Sequence, residues 1–91
     1  MYEYDPLSAL GTSLGADGLT VARTADGLQV TNEDVPGATD TITCRPRPED
    51  GGRLWFWTGR GEPLAEADHL RDAILYVRVH LRRCADEGSG R

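Results

Sequence analysis

With 91 residues the chain has room for one domain and one core. Leu, Ile, Val and Phe number 18, just under a fifth of the chain, so the core must be thin, and thin cores in chains this short are often completed by a second subunit. A formal net charge of −5 works against binding phosphate backbones or anionic lipid, and no apolar run is long enough to span a bilayer.

The N-terminal residues Met1-Tyr2-Glu3-Tyr4 lack the basic and apolar regions of a leader, which leads us to expect a cytoplasmic protein. Residues 5–15 read as a short helix. Asp5 can cap it, Pro6 fits its first position, Leu7, Leu10 and Leu14 share one face, and Gly15 is a natural stop. Residues 18–32 read as a β-hairpin turning at Asp26-Gly27, with Leu19, Val21, Leu28 and Val30 towards the core. A polar loop follows over 32–38.

A second hairpin is expected over 39–58. Its first strand is centred on Thr41-Ile42-Thr43-Cys44-Arg45, and its second, Arg53-Leu54-Trp55-Phe56-Trp57-Thr58, is the most strand-like segment of the chain. The two Pro and two Gly of 46–52 read as a loop. Period-2 alternation puts Leu54 and Phe56 on one side of the second strand and Trp55 and Trp57 on the other.

Glu62-Pro63 then opens the longest element, a helix to about residue 83, with acids early and Arg late as the helix dipole prefers. Ala67, Leu70, Ile74, Val77 and Leu81 form the stripe expected to pack on the sheet. Leu64, Leu75 and Val79, with Tyr76 and Ala65 beside them, occupy a second arc, and Arg71, Arg78 and Arg82 run between the two. Residues 85–91 read as a frayed tail. The expected fold class is therefore α+β: a single domain over 1–84 in the order α-β-β-β-β-α, with about four antiparallel strands under a short and a long helix.

Arg replaces Lys throughout, the composition of a GC-rich bacterial genome. Cys44 and Cys84 read as free thiols. Neither they nor His69 and His80 fall at zinc-finger spacing, and the two His lie ~16 Å apart along a helix, so no metal and no cofactor is expected. No serine elbow or phosphate-loop pattern is present, and no catalytic residue is assigned.

Two surfaces remain. The second apolar arc, Leu64, Leu75, Tyr76 and Val79 rimmed by Arg71, Arg78 and Arg82, is an interface for a twin subunit or another protein. Arg45, Arg53, Trp55, Trp57 and Arg60 form a basic and aromatic hairpin of the kind that stacks single-stranded bases, disfavoured here by the net charge. The leading expectation is a non-enzymatic protein-binding module (adaptor, chaperone-like or regulatory accessory protein), dimeric through the C-terminal helix. A nucleic-acid-binding module and a small enzyme with its site at a dimer interface are the alternatives.

Overall fold

The computed structural model describes residues 5–88. Helix α1 spans Pro6–Ala16, one residue past the expected glycine stop. Its amide ends are satisfied as the sequence implies: the Asp5 carboxylate accepts from the Leu7 amide at 3.1 Å, and Pro6 follows at the first position. Leu7, Leu10 and Leu14 are buried. Gly11, which weakens a helix on propensity grounds, lies against the sheet: a Cβ there would sit 3.1 Å from Leu28 Cδ1, so its absence lets α1 approach closely.

The hairpin β1 (Thr20–Arg23) and β2 (Leu28–Thr31) pairs in register around the Asp26-Gly27 turn. It is followed by β3 (Thr39–Arg47), β4 (Arg53–Trp57) and β5 (Pro63–Glu66). All neighbours are antiparallel and the strand order equals the chain order, so the sheet is a five-stranded meander. Helix α2 (Leu70–Gly88) closes the chain. The architecture is α+β, with one strand more than the sequence suggested.

Three differences from the sequence expectation have local causes. Pro46 and Arg47 belong to β3 and pair with Leu54 and Arg53, so the loop shrinks to a 3₁₀ turn at Pro48–Asp50. A proline is tolerated there because the ladder to β2 ends at Ile42, leaving that stretch of β3 with a neighbour on one side. Pro63 starts a strand rather than a helix. The Thr58 amide donates to the Glu62 carbonyl, and the Thr58 hydroxyl accepts from the amides of Arg60 and Glu62, which turns the chain back onto β4. The long helix therefore begins at Leu70 and continues to Gly88, past the point where a frayed tail was expected from residue 85; Ala85 is buried.

Both helices lie on one face of the sheet, where Leu28, Val30, Ile42, Phe56 and Ala65 are buried with Val77 and Leu81 of α2. An ion pair from Arg78 to Asp17 fastens α2 to the end of α1. The outer face carries Thr41, Thr43, Arg45, Trp55 and Trp57, with no helix among the described residues over it. Among the described residues no helix is long and apolar enough to cross a membrane.

Candidate functional site

The sheet-facing line of α2 is narrow. Ala73, Val77, Leu81 and Ala85 recur every fourth residue and are buried, while Leu70 and Ile74 flank them half-buried. Two of the four are alanines, which draw the helix close to the sheet and leave the rest of its circumference outside. Leu75, Tyr76 and Val79 point away from the core and keep 59%, 46% and 49% of their surface exposed. At 100° per residue, Asp72, Tyr76, Val79 and Arg83 fall on one side of the helix with Leu75 at its edge, so acid, apolar centre and base follow one another along the axis.

Leu64 does not lie on this helix, because residues 63–66 form β5. The strand nevertheless carries it to the same place: a groove of about 270 Å³ is lined by Leu64 together with Glu62, Tyr76, Val79, His80 and Arg83. The arginines expected to rim the patch divide. Arg71 and Arg82 are exposed, whereas Arg78 is engaged with Asp17. Among the described residues Asp72, Arg71, Arg82 and Arg83 make no ion pair.

The basic and aromatic hairpin is partly assembled. Arg45 lies over the Trp57 ring at 4.8 Å from its centroid, and Arg47 over Trp55 at 4.4 Å. The indole of Trp55 donates to Asp50 and that of Trp57 to the Arg45 carbonyl. Arg53 pairs with Glu66. Each indole thus has one ring face covered and its N–H used within the chain. Arg60 is not part of this surface; it lies on the turn after β4 and pairs with Glu87 of α2.

A cluster that the sequence analysis did not assemble lies where α2 crosses β3. His80 Nε2 is 2.5 Å from Asp40 Oδ2 and 3.5 Å from Cys84 Sγ. Asp40 also accepts from the amides of Gly59 at 3.0 Å and Thr41 at 2.8 Å. Burial pushes its carboxyl up, but the Gly59 amide, the His80 ring and the Thr41 amide outweigh this and hold it below the ordinary value. Burial, then the charges of Asp40 and Glu87, push the Cys84 thiol up, against the pull of Arg60. Burial likewise pushes Cys44 up. Both shifts favour the protonated thiol over the nucleophilic thiolate. A Cys–His–Asp relay also needs the thiol and the carboxylate on opposite ring nitrogens, and here both face Nε2.

Asp40, His80 and Cys84 are, among the described residues, the group whose ligand atoms converge closely enough to hold a metal, all within 4.8 Å of one another. One signal could have pointed to it and was not used: His80 and Cys84 stand four residues apart, the spacing that sets two side chains on one helix face. Asp40, far away in sequence, gave no signal. No protein-family model matches the chain, and neither a curated protein nor a solved structure matches it.

Proposed function

We propose that the chain is a non-enzymatic protein-binding module that works as a homodimer through the outer face of α2. The observation that carries this reading is the group of three adjacent large apolar side chains, Leu75, Tyr76 and Val79, that the sheet leaves uncovered. A second copy is the occupant that the charge pattern favours. If the face packs antiparallel on itself about a two-fold axis between residues 77 and 78, Tyr76 of each chain lies opposite Val79 of the other, and Asp72 opposite Arg83. The pattern is self-complementary, as an isologous interface requires. Two charged groups without partners in the monomer would then gain them at the rim, around an apolar centre.

Burying each of these side chains contributes about 1.5–3 kcal/mol, before association entropy of several kcal/mol is set against it, so the dimer is a weak one. The nucleic-acid alternative fares worse, because the half-buried tryptophans already stack on arginines of the same sheet. The test is light scattering at high-micromolar concentration, with circular dichroism alongside. Leu75→Asp/Val79→Asp should be monomeric and folded, whereas Val77→Asp/Leu81→Asp should unfold. If the Leu75/Val79 variant unfolds as thoroughly as the core variant, the face is core and the interface reading is wrong.

A further inference from the structure

We infer that Asp40, His80 and Cys84 form a binding site for a single zinc-class divalent ion. The three donors are a carboxylate oxygen, an imidazole nitrogen and a thiol sulfur, held half-buried where α2 crosses the sheet. A mixed O, N, S set suits borderline zinc; calcium and magnesium take oxygen alone. Two features suggest that the donors face a common point rather than merely touching. First, the carboxylate and the sulfur address the same ring nitrogen, so at most one N–H proton is shared between the two groups. An ion between the three resolves this: Nε2 turns its lone pair to the metal, Nδ1 keeps the ring proton, and the thiol proton leaves to solvent as the Zn–S bond forms. Second, the spacing is close to what is needed.

With Zn–N ~2.0–2.1 Å, Zn–S ~2.3 Å and tetrahedral angles, nitrogen and sulfur should lie about 3.6 Å apart and nitrogen and oxygen about 3.4 Å. The His80–Cys84 distance of 3.5 Å already fits. The Asp40–His80 distance of 2.5 Å must open by about 0.9 Å, within reach of a side-chain rotation. The scaffold around the ligands is built from the backbone. Amides of Gly59 and Thr41 hold Asp40 as the outer hydrogen bonds of a metal carboxylate do, and Gly59 leaves the space: a Cβ there would collide with the Asp40 carboxylate. Three protein ligands leave a fourth position for water. All three ligands come from one chain, although His80 also borders the groove beside the proposed dimer face.

The experiment uses untagged, chelator-stripped protein dialysed against zinc chloride, and separately against cobalt chloride for its spectrum. Expected are one zinc per chain and a cobalt spectrum with the thiolate charge-transfer band. Cys84→Ser should abolish that band, and His80→Gln and Asp40→Asn should each weaken zinc binding by more than the ~10–100-fold that loss of an outer partner costs. Cys44→Ser should leave both unchanged. Substoichiometric zinc, or a thiolate band that survives Cys84→Ser, overturns the inference. So does zinc affinity indifferent to His80 and Asp40. If a ligand variant fails to fold, the cobalt spectrum of Cys44→Ser, in which Cys84 is the remaining thiol, still decides the matter.

Discussion

Asp5 joins three parts of the molecule through one carboxylate. It caps α1 at the Leu7 amide, accepts from the Ser8 hydroxyl at 2.9 Å, and pairs with Arg23 of β1 at 2.9 Å. The hydrogen bonds from Arg23 and Ser8 hold its carboxyl below the ordinary value against slight burial. A depressed folded-state value means stability that is complete above the unfolded carboxylate range, near pH 4, and is lost as pH falls through the lower folded value. Asp5→Ala should therefore cost about 1 kcal/mol at pH 7, and urea melts should show the gap to wild type narrowing by pH 3. Gly27 makes a second residue-scale prediction. Its φ is +153°, and a Cβ would run into the Ile42 carbonyl oxygen, a backbone atom fixed by the β2–β3 ladder. Gly27→Ala should cost about 2–3 kcal/mol by the same melts. Both residues were legible as a cap and a turn, because those signals lie within a few adjacent residues. The Asp40–His80–Cys84 cluster was not, because it depends on a strand and a helix meeting across the core.

The legibility of each element followed its turn signals and the ambiguity of its first residue. The Asp-Gly hairpin was legible from its turn and the alternation beside it, and β4 from its run of aromatic residues. Strand β5 has four residues and begins Glu62-Pro63, which suits the start of a helix as well as an edge strand, and local sequence offers no means of choosing. Reading it as part of α2 moves the helix start by eight residues, from 70 to 62, yet leaves the sheet-facing stripe nearly intact, since Val77 and Leu81 keep their phase wherever the helix begins. The same merger puts Leu64 on the wrong element while still associating it with Val79, which it meets across the groove. The division of α2 into a core line and an outer face predicts unequal costs. Leu81→Ala should destabilise by about 2–5 kcal/mol, because Leu81 is sealed between α2 and the sheet. Leu75→Ala should stay within ~0.5 kcal/mol in the monomer, because the side chain is mostly in water. Chemical denaturation at low protein concentration separates the two.

At the scale of the molecule, the thin core and the leftover apolar face are one phenomenon. Alanines at 73 and 85 bring α2 close to the sheet beside Val77 and Leu81, and Leu75, Tyr76 and Val79, out of phase with that buried line, are left facing outward. Charge is uneven along the chain: residues 1–52 carry nine acids and three Arg, residues 53–91 six acids and seven Arg, and Arg71, Arg78, Arg82 and Arg83 lie on α2. That concentration could also draw in a polyanion, but with a net −5 and both tryptophans stacked internally, single-stranded oligonucleotides should not bind saturably at physiological salt in fluorescence titrations. Self-pairing of the α2 face is the central claim, and charge reversal tests its symmetry directly. In sedimentation equilibrium, wild type should fit a monomer–dimer equilibrium. Asp72→Arg, which turns both attractions to Arg83 across the two-fold axis into repulsions, should weaken the dimer roughly tenfold or more. The double variant Asp72→Arg/Arg83→Asp should restore wild-type association. A wild type that stays monomeric at high-micromolar concentration would contradict the account, as would a dimer that none of these changes disturbs.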